Sequence, residues 1–167
     1  SQPVAADLSP LTELTLTGNG RVIDTGKFGI TWVEVNGGGA TGWISLWSLV
    51  YLGGPRDLTA DAVAAIGAVP TAASMLDLGA VVIDAVAPVD PASAGSGVVR
   101  ASDPTPGTPS EVVYDVFPGE DQGDDTAIGA RYVVVGQQLP SGDYELVSVE
   151  AQALCTRGAD TATGFCV

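Results

Sequence analysis

The sequence predicts an α+β chain in two parts: a small curved β-meander over residues 1–54, then an antiparallel sheet with one or two helices over 55–167. Three observations predict it. Gly (22) and Pro (11) make up about a fifth of the 167 residues, which favours turns and short elements over long helices but stays below the level of a wholly disordered chain. Apolar residues, mostly Val, Ala and Leu, reach 46%, enough to build a core. The apolar period is two in the N-terminal part, near-helical from Ala60 to Val86, and two again from Val112.

Ser1 to Pro10 reads as a loose lead-in. Leu14 and Leu16 alternate with Thr15 and Thr17, and Gly18-Asn19-Gly20 is a turn signal. Val22-Ile23 follows, then a second turn over Gly26 to Gly29. From Thr31 to Val35 the chain alternates, with Val33 and Val35 on one face and Trp32 and Glu34 on the other. Asn36-Gly37-Gly38-Gly39 closes a hairpin, Gly42 to Ser45 returns, and Leu46 to Leu52 continues as a short turn and strand. Four or five strands are expected here.

Gly53 to Asp57 reads as a linker. Ala60 to Ile66 predicts a short helix, with Thr59 as N-cap, Asp61 in the first turn and Gly67 at its end. Thr71 to Val86 is read as a second helix on the spacing of Met75, Leu76, Ala80, Ile83 and Val86, with a strand through the β-branched Val81-Val82-Ile83 as the alternative. Pro88 to Pro109 is an irregular Pro-, Ser- and Gly-rich stretch holding one strand, Gly97 to Ala101. Three strands follow: Val112 to Phe117, Arg131 to Gln137 and Tyr144 to Leu154, the last two joined by a turn over Pro140-Ser141-Gly142-Asp143. Helices followed by strands suggest an α+β layer.

Trp32-Val33-x-Val35, a Gly-rich loop, Gly42-Trp43-Ile44 and Leu49-Val50-Tyr51-Leu52 together resemble a bacterial Src-homology-3-like domain over about residues 11–53. The resemblance implies a small β-barrel and a binding role. The family's usual Asn-Val-Arg-Ser-Gly-Pro-like opening is absent. In the second part, Asp124-Asp125-Thr126, Gly129-x-Arg131 and Cys155-x-Arg157-Gly158 with Cys166 resemble the C-terminal module of secreted or lipid-anchored bacterial proteins of unknown function. That resemblance implies no particular activity.

Charge narrows the partners. Twenty acids against six Lys and Arg give a net charge of −14. Nucleic-acid affinity comes mainly from cations that displace counterions, so a nucleic-acid partner is not expected, and anionic lipid is disfavoured for the same reason. No run approaches the ~20 apolar residues of a membrane helix. Cys155 and Cys166, the only cysteines, predict a disulfide and an oxidising compartment, hence an extracellular or cell-surface location. The chain-entropy model gives such a loop roughly 3 kcal/mol. The chain begins at Ser1 without Met, in keeping with a mature form from which a targeting or anchoring segment has been removed.

Catalytic and cofactor motifs are missing. There is no His, no glycine-rich phosphate loop, no nucleophile elbow, and a single lysine, Lys27, in an expected turn. No catalytic residues, metal ligands or cofactor are therefore expected. The acidic run Glu120-Asp121-Gln122-Gly123-Asp124-Asp125 has carboxylates for Ca²⁺ but not the spacing of a helix-loop-helix calcium site, so it reads as a solvated loop. Trp32, Trp43, Trp47 and Tyr51 fall in one small meander and are the candidate ligand-binding residues, an aromatic groove for a peptide or sugar. The competing role for these rings is core, for Trp43 and Tyr51 above all, and Trp32 is the better candidate for exposure because Val33 and Val35 claim the inner face. The function expected is non-catalytic binding of a cell-wall peptide or protein partner in the cell envelope. The alternatives are a structural or assembly module with no small ligand and, least favoured, a small hydrolase.

Overall fold

The structure, a computed structural model, describes residues 12–24, 26, 29–87, 97–101, 109–117, 126–160 and 162–167. The chain divides into two compact units, Ser1–Leu49 and Val50–Val167.

The first unit is a three-stranded antiparallel sheet in the order β1 (Thr15–Asp24), β2 (Gly29–Gly37), β3 (Ala40–Ser45). Gly18-Asn19-Gly20, expected to be a turn, lies inside β1 instead. Leu16 pairs with Val35 and Gly20 with Val33, so three residues of β1 stand opposite the single Glu34 as a bulge. What was expected as two strands is therefore one. The expected fifth strand is lost to the other unit. A 3-10 turn over Leu46–Ser48 ends the meander, and Tyr51–Leu52 (β4) pairs with the last strand of the second unit. Among the described residues the first unit thus has three strands, not four or five. The division expected after Gly54 falls earlier, after Leu49, because β4 finds its hydrogen-bond partner there.

Among the described residues the second unit is a seven-stranded sheet with two helices. A meander β7 (Gly97–Ala101), β8 (Ser110–Val116), β9 (Ala127–Gln138), β10 (Tyr144–Cys155) supplies most of it. Along the outer side of β10 run β4, β5 (Arg56–Asp57) and β6 (Thr71–Ala72), all antiparallel to it. Together they make one broken edge strand, with helix α1 (Thr59–Ile66) looped out between β5 and β6. The ladder continues through the break: Leu58 N–H donates to the Val149 carbonyl (2.9 Å) and Leu146 N–H to the Pro70 carbonyl (3.1 Å).

The expected helices are present, with two changes at their starts. Thr59 is the first helical residue of α1 rather than its cap; the carboxylate of Asp57 accepts its N–H at 2.8 Å. Helix α2 (Met75–Val86) starts later than Thr71 because Thr71–Ala72 pairs as β6, and helix rather than strand prevails over Val81-Val82-Ile83. Ser74 caps it: its Oγ accepts Asp77 N–H at 3.1 Å and donates to the Asp77 carboxylate at 2.7 Å.

Both helices pack on one face of the sheet. Leu58 just before α1, Ala62 of α1, and Met75, Leu78 and Val82 of α2 meet Val112, Tyr114 and Val116 of β8, Val134 of β9, and Tyr144, Leu146, Val149 and Ala151 of β10. Alternation selects this face in β8, but in β10 the inward residues change parity. A bulge between Leu146 and Ser148 leaves Val147 exposed and lets both Leu146 and Val149 point inward. At Gly79 the helix backbone touches the sheet. A Cβ there would lie 2.5 Å from the Tyr114 hydroxyl and 2.7 Å from a Val112 methyl. Tyr114 Oη donates to the Leu76 carbonyl at 3.1 Å, and burial raises its pKa, with the Asp77 charge adding to the effect.

On the opposite face Asp115 and Arg131 stand directly across β8 and β9. They form a bidentate ion pair, Nε to Oδ1 at 2.8 Å and Nη2 to Oδ2 at 2.9 Å, with both side chains nearly buried. Cys155 and Cys166 form the expected disulfide. Among the described residues no helix is long and apolar enough to cross a membrane.

Two substitutions check this packing by urea unfolding. Gly79→Val is expected to cost about 1–3 kcal/mol through overpacking, whereas Ala80→Val on the exposed side of the same turn leaves the midpoint nearly unchanged. Asp115→Ala is expected to cost about 3 kcal/mol by stripping the carboxylate from a nearly buried guanidinium, and the apolar pair Asp115→Leu with Arg131→Met recovers part of the loss.

Candidate functional site

Strand register sorts the first unit's side chains onto two faces. Arg21 pairs with Trp32, Trp32 with Ser45, and Glu34 with Trp43. Directly opposed residues share a face, so Arg21, Trp32, Glu34, Trp43 and Ser45 form one surface. Ile23 and Ile30 extend it at one end; Thr15, Asn36 and Thr41, mutually paired across the three strands, extend it at the other. Leu16, Val22, Val33, Val35 and Ile44 take the opposite face, where Val35 is buried to 4% exposure.

Two contacts organise the aromatic face. The Arg21 guanidinium carbon lies 4.4 Å from the centre of the Trp43 ring, so the side chain reaches across β2 to lie over β3. At an exposed site such a cation–π contact is worth about 0.5–1 kcal/mol. Beside it, the Glu34 carboxylate accepts from Asn19 Nδ2 and Thr17 Oγ1, both at 2.8 Å. These donors come from the β1 bulge, so the carboxylate holds the bulge and the bulge orients the carboxylate. Hydrogen bonds from Asn19, then Thr17, lower the pKa of Glu34 from its ordinary 4.5. These hydrogen bonds favour its charged, accepting form. At the polar end, Thr41 Oγ1 donates to Asn36 Oδ1 at 2.6 Å, and Glu13, Thr15, Asn36 and Thr41 help line an open depression of about 450 Å³.

Of the sequence-expected aromatics, Trp32, Trp43 and Trp47 lie in the first unit. Tyr51 belongs to β4 in the second unit, because its backbone pairs with Cys155. Val33 and Val35 do turn away from Trp32, yet Trp32, on the central strand and paired with Arg21 on one side and Ser45 on the other, is only half-exposed. Trp43, on edge strand β3, is 37% exposed, and Trp47, in the 3-10 turn, is 86% exposed. Exposure therefore follows strand position rather than the valine face alone. Arg21 and Glu34 were missed as site residues. The signal for Glu34 was its shared phase with Trp32; Arg21 could be placed only through the register, which the bulge shifts.

The acidic run at 120–125 lies outside the described residues. Among those described, no group of three or more His, Cys, Asp or Glu side chains comes together to hold a metal. No family model, curated protein or solved structure matches this chain.

The Glu34 grip has a definite pH dependence. A depressed folded-state pKa adds stability above the ordinary glutamate value and loses it as pH falls through the lowered one. Carboxyl-carbon NMR is expected to show Glu34 titrating below 4.5, and Asn19→Ala to move that midpoint upward. An unchanged midpoint in the variant removes the proposed hold.

Proposed function

We propose that this chain is a non-catalytic binding protein of the cell envelope whose ligand is a peptide, carried by the cell wall or by a protein partner. The observation that carries the reading is the continuous face of the first unit's sheet. It offers an apolar end at Ile23 and Ile30, a ring with a cation over it at Trp43 and Arg21, an ionised acceptor at Glu34, and amide and hydroxyl groups at Asn36 and Thr41. A peptide uses all of these at once: side chains stack or bury on the rings, and its N–H groups or amines donate to fixed acceptors. The resemblance of residues 11–53 to a bacterial Src-homology-3-like domain points toward a peptide ligand, and the disulfide toward an oxidising compartment outside the cytosol.

Assembly within an envelope complex is the second reading. It is favoured by the opposite face, where Val22 is 68% exposed and Leu16, further along the same strand, is exposed as well, apolar side chains that another protein could cover.

Co-sedimentation with purified peptidoglycan separates the two. The peptide reading expects the full chain to pellet with wall material and Trp43→Ala to weaken this about tenfold, the scale of one aromatic anchor, with Trp47→Ala closer to wild type. Absence of wall binding, together with a stable protein complex abolished by Val22→Asp, supports assembly instead.

A further inference from the structure

Beyond binding, we infer that the C-terminal segment Gly158–Val167 is a redox-latched strap over the outer edge of the second unit's sheet. The segment folds as a small hairpin. Ala159 bridges Cys166, Asp160 N–H donates to the Phe165 carbonyl (2.8 Å), and Val167 N–H donates to the Gly158 carbonyl (3.1 Å). Its turn is tied by Asp160, whose Oδ1 accepts the Ala162 and Thr163 amides at 2.8 and 2.7 Å. These bonds shape the hairpin but do not fasten it to the sheet.

Two contacts do that. The first is at the edge strand. Gly53 N–H points inward to the Ala153 carbonyl (2.9 Å), while Gly54 N–H points outward and donates to the Gly164 carbonyl (3.0 Å). An outward N–H on an edge strand is a template for an added strand, and here the strap fills it. The fit needs bare backbones: Gly164 holds φ +74°, and a Cβ on it would lie 2.8 Å from both Gly54 Cα and Gly54 N. The second contact is the Cys155–Cys166 disulfide, which ties the returning arm of the hairpin to the end of β10. Cys155 is fully buried and Cys166 only half-buried, so Cys166 is the sulfur an outside thiol can reach.

The chemistry is thiol–disulfide exchange with a dithiol reductant. Its thiolate attacks Cys166 Sγ, the bond between the two cysteine sulfurs breaks, and Cys155 leaves as thiolate. The second thiol of the reductant resolves the mixed disulfide and frees Cys166. Two electrons pass from the dithiol, which ends as a disulfide, and both cysteines take up protons. The strap then keeps its Gly54–Gly164 hydrogen bond but has lost its covalent tie, and it lifts off, baring Gly54. Oxidation closes the edge; reduction opens it.

Hydrogen exchange on the full chain, oxidised and reduced, tests this. Reduction is expected to speed exchange at the Gly54 amide about tenfold or more while the Val112 and Val134 amides stay protected. A Gly54 amide equally slow in both states overturns the strap. Should reduction unfold the unit, so that Val112 and Val134 exchange as well, Gly164→Ala with the disulfide intact decides: its methyl must lift the hairpin, so Gly54 is expected to exchange faster, and unchanged protection there overturns the proposal.

Discussion

The second unit depends on the hydrogen-bond ladder of β10. This one strand is paired along both sides, by β9 on one and by β4, β5 and β6 in turn on the other. It also lends Tyr144, Leu146, Val149 and Ala151 to the face on which both helices lie. The edge segments on its outer side are only two residues long each, too short to be strands without a neighbour that fixes them. With β10 in place they become a track from which α1 departs and to which the chain returns, and the helix lands on the sheet because both of its ends are pinned there. Thr59 shows the coupling at one residue: its side-chain oxygen accepts Val149 N–H at 3.0 Å, so the start of α1 completes the ladder where the edge strand stops.

In the first unit the corresponding constraint is a single carboxylate. Glu34 faces three residues of β1, and its two side-chain hydrogen bonds turn what would be a disordered excess of backbone into a defined bulge. The bulge sets which residues of β1 beyond it fall on the aromatic face. It brings Arg21 opposite Trp32 and within reach of Trp43. The charged group of the candidate face and the register of the sheet are thus joined in the same side chain.

The strands of the C-terminal meander were legible because their alternation is regular and their turn at 140–143 is strongly marked. Helix α1 was legible to within a residue. The disulfide followed from there being only two cysteines. Less visible were features set by pairing between distant segments. Nothing local distinguishes Tyr51 and Leu52 as partners of Cys155 and Leu154 rather than as the close of the preceding meander. The Gly-Asn-Gly stretch carries the same turn residues whether the chain reverses or bulges; the opposing Glu34 decides, and it lies fifteen residues from Asn19 in the sequence. Of the candidate site, the two tryptophans on the sheet were readable, while their polar companions depended on register.

The broken edge strand has a consequence for how the second unit comes into being. Contacts that fix its beginning reach forward across most of its length: the Val149 bond to Thr59 spans 90 residues, and that from Gln152 to the Gly53 carbonyl spans 99. A chain emerging from the ribosome in order would hold β4, β5, α1 and β6 with nothing to pair against until β10 has been made. Such non-local closure is entropically expensive and slow. This unit therefore assembles late and as a whole, and a growing chain must keep its early segments from other company until its last strand arrives.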